Sequence, residues 1–126
     1  MVNFTFQQTN LNAVASVVYN PIGADSTGTP TDVTAAYVDS SVQFYGEFSG
    51  ATIRFEGSDD PRANPNHPDH ADAAWETVSD SFGNLIETTQ RAKIHVNDFS
   101  WWVRPVVIGG DINTAITVAI AGRKTR

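Results

Sequence analysis

Two short alternating runs, SVQFYGEF and ATIRFEGSDD, meet at Ser49-Gly50 within residues 41–60. Apolar side chains fall on every second position: Val42 and Phe44 in the first run, Ala51, Ile53 and Phe55 in the second. A period of two is the signature of strands with one face in a core and the other in water. A two-residue loop at Ser49-Gly50 would set Phe48 opposite Ala51, Gly46 opposite Ile53, Phe44 opposite Phe55 and Val42 opposite Gly57. The polar or amphipathic pairs Glu47 with Thr52, Tyr45 with Arg54 and Gln43 with Glu56 would then share the other face. Pattern and turn chemistry agree on one register, so the expectation is an antiparallel hairpin covering one side of a core.

Similar runs recur along the chain, and helical periodicity is almost absent. Val2, Phe4 and Phe6 alternate with Asn3, Thr5 and Gln7, which suits a first strand or an N-terminal arm within residues 1–12 laid along a neighbour. AVASVVY (13–19) ends at Asn20-Pro21, a turn-rich stretch NPIGADSTGTPTD follows, and a weaker run VTAAYV (33–38) leads into residues 41–60. DDPRANPNHPDHADAA then reads as a long surface loop, because its three prolines break strand and helix alike, with one helical turn around His70 to Ala74. Regular pattern returns at Trp75 to Val78, turns at 80–84, and continues in Leu85 to Thr88 and Lys93 to Val96. WWVRPVVI (101–108) and TAITVAIAG (114–122), joined by GGDIN, close the chain. The count of about eight short strands is that of an all-β jelly roll or β-sandwich, built as a single domain over residues 1–126.

Composition narrows the function classes. There is no cysteine, which excludes a disulfide framework and thiolate metal sites and fits folding in a reducing cytoplasm. Fourteen acidic against 8 basic side chains leave a net charge of −6, which repels a polyanion, and the one basic gathering is Arg123, Lys124 and Arg126 at the tail. No nucleic-acid partner is expected. MVNFTFQQTN has no basic segment or apolar core of a leader, and AITVAIAG is too short to span a bilayer, so no membrane partner is expected either.

His67, Asp69, His70 and Asp72, with Asp59 and Asp60 at the start of the same loop, could supply nitrogen and oxygen ligands to a zinc-like ion. Pro65 and Pro68 leave no helix to align them, so the favoured reading is a hydrophilic loop with solvated histidines, without metal or cofactor. His95, between Ile94 and Val96, reads as an outward-facing strand residue. No nucleophile elbow, phosphate-cradling loop or cysteine nucleophile exists, and Asp59-Asp60 reads as a turn former rather than an acid–base pair, so an enzyme is not expected.

Trp101-Trp102 points towards binding. Neighbours in a strand face opposite ways, so one tryptophan enters the core while the outer face carries either Trp102, Arg104 and Val106 or Trp101, Val103 and Pro105. The exposed tryptophan then marks an interface, or a second layer closes over it. Pro105 places this strand at a sheet edge or a bulge.

SVQFYGEF, ATIRFEGSDD, WETVSDSFGNLIETT, WWVRPVVIGGD and ITVAIAGRK together resemble the small decoration (cement) proteins of tailed-bacteriophage capsids. The resemblance rests on Gly57-Ser58-Asp59-Asp60, on Trp75, Val78, Asp80, Gly83 and Asn84, and on Trp102, Arg104, Pro105 and Val107; TGTPTDV is similar to the loop before the first hairpin. It covers roughly residues 25–124 and departs from the pattern in the long insert between Asp60 and Trp75. It implies a virion protein, made in the host cytoplasm, that sits on the outer capsid surface as a dimer or trimer and bridges subunits of the major capsid protein. Its interface residues would come from Trp101, Trp102, Arg104, Asp59, Asp60, His67, His70, Phe4 and Phe6. The alternative is a galactose-binding-like jelly roll or surface adhesion protein, in which Trp75, Trp101 or Trp102 stacks on a host-surface glycan and Asp and Asn of residues 59–72 bond its hydroxyls.

Overall fold

The structure, a computed structural model, describes residues 1–8, 14–32, 37, 39–96 and 100–123. Most of the weaker run at 33–38, residues 9–12 of the N-terminal segment, and Lys124 and Arg126 of the basic tail lie outside the described residues.

The strands are β1 (Phe4–Gln8), β2 (Val14–Ile22), β3 (Asp39–Glu47), β4 (Thr52–Ser58), β5 (Glu76–Thr77), β6 (Glu87–Thr88), β7 (Ala92–Val96), β8 (Trp102–Ile108) and β9 (Ala115–Arg123). They pair antiparallel in two sheets, one ordered β1-β2-β9-β3-β7, the other with β8 along one edge of β4 and β5 and β6 along the opposite edge. The fold is an all-β sandwich, as the composition of the runs predicts.

Strand order becomes intelligible once residues 27–31 are included. This segment follows the outer edge of β8 through bridges Thr27–Val106 and Thr31–Val103, and the Gly28 N–H donates to the Pro105 carbonyl at 2.9 Å. Pro105, which has no N–H, therefore turns its missing donor towards an irregular segment and leaves the β4–β8 ladder whole. β5 and β6 are two halves of one strand: Val78 N–H donates to Phe55 O, Phe55 N–H to Ile86 O and Ile86 N–H to Val78 O, while residues 79–85 leave and return at the Ser79–Leu85 bridge. The layers then read β2-β9-β3-β7 and (27–31)-β8-β4-(β5/β6), the jelly-roll order. Bridges Val2–Gly28 and Asp80–Val96 tie the two layers together along their sides.

The expected hairpin does not form. β3 pairs with β7 and β9, and β4 with β5, β6 and β8, so the two runs lie in different sheets and Ser49-Gly50 is a corner between layers. Positive φ at Gly46 (115°), Ser49 (45°) and Gly50 (82°) lets the chain turn it. The inward residues are those expected, with Val42, Phe44, Phe48, Ala51, Ile53 and Phe55 all buried. Strands that face each other across a sandwich need the same alternation as strands that pair side by side.

Inner positions of both sheets fill one core that also holds Tyr19, Ile22, Val78, Ile86, Val103, Val107, Ile116, Val118 and Ile120. The Tyr19 ring is wholly buried, takes Phe4 edge-on at a centroid distance of 5.4 Å, and donates its hydroxyl to the Thr29 carbonyl. Burial pushes its phenol well above the ordinary tyrosine range.

Candidate binding site

The long loop after β4 is organised by Asp60. Its N–H donates to Ser58 Oγ at 3.1 Å, Pro61 pre-sets the turn that follows, and Oδ1 accepts from the Arg62 N–H at 2.9 Å. Oδ2 accepts from Arg62 Nη2 at 2.8 Å and from the Ala74 N–H at 3.1 Å, so one carboxylate clasps both ends of residues 61–74. The Arg62 guanidinium, aided by the Arg62 and Ala74 N–H groups, holds the Asp60 carboxyl well below the usual carboxylate range. Between the ends lie 3-10 turns at Pro61–Ala63 and His70–Asp72, the second where the helical turn is expected. His70 Nδ1 sits 3.0 Å from the Arg62 carbonyl, and His67 Nδ1 accepts from the Asp69 N–H at 3.0 Å. These two histidines hold the loop together; among the described residues no three His, Cys, Asp or Glu side chains gather as metal ligands would.

The clasped loop packs beside the start of β8. The Trp101 N–H donates to Asp59 Oδ1 at 2.8 Å, and Asp59, Pro61, Asn64, Trp101 and Trp102 line an open cleft of about 340 Å³. Trp101 is 61% exposed. Neither tryptophan enters the core, which corrects the expectation for this pair: β8 begins at Trp102, its inward positions are Val103, Pro105 and Val107, and Trp101 precedes the strand. Of the two outer sets weighed from sequence, Trp102, Arg104 and Val106 is the one presented.

Arg104 is engaged within the domain. Its Nε and Nη2 donate to Glu56 Oε1 at 3.0 and 2.9 Å, and its guanidinium lies 4.0 Å from the Trp75 ring centroid. One face of Trp75 is therefore covered by a cation. Phe4 and Phe6 lie far along the other sheet on β1, which pairs with β2; Phe4 packs on the core, whereas Phe6 is 45% exposed. His95 points outward from β7, as predicted, and contacts the Asp39 carboxylate.

The structure thus brings together Asp59, Trp101 and Trp102, keeps Asp60, His67 and His70 as the frame of the adjoining loop, leaves Arg104 outside the cleft lining although it shares the outer face of β8 with Trp102, and places Phe4 and Phe6 in the other sheet. Pro61 is not predicted, and Asn64 only as one of the Asp and Asn of residues 59–72 in the glycan alternative, because nothing local marks a loop residue whose partner lies about forty positions away. Exposed apolar side chains at Phe82, Leu85 and Ile112 also escaped notice, since single apolar residues in turns give no periodic signal. No protein-family model matches the chain, and no curated protein matches it in sequence.

Proposed function

We propose that this protein is a structural component of a tailed-phage virion that binds the outer surface of the capsid and bridges neighbouring major capsid protein subunits. The motif resemblance motivates the reading, and the distribution of exposed apolar side chains supports it. Trp101 projects from one end of β8; Ile108 at the opposite end and Ile112, 99% exposed in the following loop, project from the other. Phe82, 87% exposed, caps the lateral excursion at 79–85, where Asp80 Oδ1 accepts the N–H groups of Phe82 and Asn84 and fixes the turn. A bridge needs separate contact surfaces held on a rigid body, and preorganised apolar knobs at both ends of a sandwich supply them.

The work of such a protein is linkage. A ligand that binds only the assembled lattice stabilises it by about 2.7 kcal/mol at a hundredfold excess over Kd, with no chemical step. The test is co-sedimentation of the purified protein with expanded, undecorated capsids of its own phage, together with the capsid melting temperature. Binding and a raised melting temperature are expected, and Ile112→Asp should weaken binding while leaving the fold intact. Failure to co-sediment overturns the proposal.

A further inference from the structure

We infer that the cleft between Pro61–Asn64 and Trp101-Trp102 binds a neutral saccharide. Its wall is aromatic, and indole faces stack on the C–H face of a pyranose ring as they do on other flat apolar surfaces. Its polar groups are a complementary pair with capacity to spare. Asp59 Oδ1 is occupied by the Trp101 N–H, which leaves Oδ2 to accept; Asn64 Oδ1 is occupied by the Asn66 N–H, which leaves the amide nitrogen to donate. A carboxylate acceptor beside an amide donor fits two neighbouring hydroxyls, each of which both donates and accepts. At about 340 Å³ the cleft lies at the small end of ligand sites, which run from roughly 300 to 1,000 Å³.

The same residues decide against other occupants. Asp59 faces the cleft, and Asp69 and Asp72 belong to the adjoining loop of a chain with net charge −6, so sialylated, sulfated or phosphorylated ligands are repelled. Preorganisation is built in: the Asp59 contact fixes the Trp101 backbone and the Asp60 clasp fixes Pro61. The site shares Trp101 with one of the proposed capsid contacts, whereas Ile108, Ile112 and Phe82 lie outside it.

The experiment titrates the full chain with galactose, glucose and N-acetylglucosamine, followed by intrinsic tryptophan fluorescence, and screens it on an array of neutral and sialylated glycans. A saturable response to at least one neutral sugar is expected, with no binding to sialylated glycans. Trp101→Ala should weaken sugar binding about tenfold or more, equivalent to ~1.4 kcal/mol. Trp101→Phe, which keeps a stacking face, should stay within about threefold. Ile112→Asp, which lies outside the cleft, should bind sugar normally. The inference is overturned if no neutral sugar gives a saturable response, if Trp101→Ala binds as the parent does, or if a proline-rich peptide fills the cleft and displaces sugar. Loss of capsid binding in the parent protein, with sugar binding intact, overturns the capsid proposal alone.

Discussion

The backbone N–H of Trp101 donates to Oδ1 of Asp59 across 42 positions of sequence. In the β4–β8 register Ser58 lies opposite Trp102, so Asp59 and Trp101 are the next pair out, and a side chain continues the ladder where the backbone has already left it. The aromatic wall of the cleft and the start of the acidic loop are thereby fixed to one sheet.

Asp60→Asn should loosen residues 61–74 while sparing the sandwich, seen as faster hydrogen exchange or proteolysis confined to the loop. The pH dependence follows from the direction of the shift. A carboxyl whose folded pKa is depressed stabilises the folded state fully above its ordinary value of about 3.9, progressively less below it, and not at all once the pH falls beneath the folded value. The stability gap between parent and Asp60→Asn should therefore be constant above about pH 5 and shrink steadily below about pH 4. A gap that grows on acidification would contradict the clasp.

Gly46 and Gly50 should answer differently to alanine. Both have positive φ, but a Cβ on Gly46 would meet the Ala115 carbonyl oxygen, whereas a Cβ on Gly50 would meet nothing within 4 Å. Urea unfolding should show a loss of about 3 kcal/mol for Gly46→Ala, from strain and overlap together, and about 1 kcal/mol for Gly50→Ala. Equal costs would mean that the corner is not seated against β9 as described.

Tyr19 and Gly28 join the layers. Tyr19→Phe should cost about 1 kcal/mol by leaving the Thr29 carbonyl without its donor. Gly28→Ala should cost about 2 kcal/mol, because its Cβ would stand 2.7 Å from both the Tyr19 ring and the Pro105 ring. Because its folded pKa is raised, the stabilisation from a neutral Tyr19 is full below the ordinary tyrosine value of about 10 and declines as the pH climbs above it. In a spectrophotometric titration its phenolate should appear only with alkaline unfolding.

Arg104→Ala should lower stability by about 1–2 kcal/mol, through loss of the contact with Trp75 and abandonment of a mostly buried Glu56 carboxylate. Arg104→Lys should recover less than half, because an ammonium cannot both reach Glu56 through two N–H groups and lie flat on the indole. Full recovery by lysine would reduce Arg104 to a simple charge.

How much of this was legible beforehand depends on the range of the interaction involved. Period-two alternation marked Val42, Phe44, Ile53 and Phe55 as inward, because side-chain direction along a strand is a property of two adjacent residues, whereas in residues 101–108 it left two faces open. Turn chemistry marked residues 80–84, and proline spacing marked the loop after Asp60. The same alternation suggested a hairpin where the structure has a corner, since a pattern of inward positions states that a strand faces a core and is silent about which strand lies beside it.

The cleft was legible only in part. Trp101 and Trp102 stand out as a pair of which one is expected to face outward, and Asp59 as the start of an unusual loop, but their meeting depends on β4 and β8 being neighbours in one sheet. By itself the sequence determined an all-β chain and the inner and outer faces of β3 and β4, which are set within a few residues; it placed the end of the second run at Asn20-Pro21, whereas β2 continues to Ile22. Tertiary structure alone decided that β3 and β4 part company, that residues 27–31 seal β8 beside Pro105, and that Asp59, Asn64 and the tryptophans share one cleft. Those outcomes depend on pairing between distant segments, whose energies arise only when both partners are present in the folded chain.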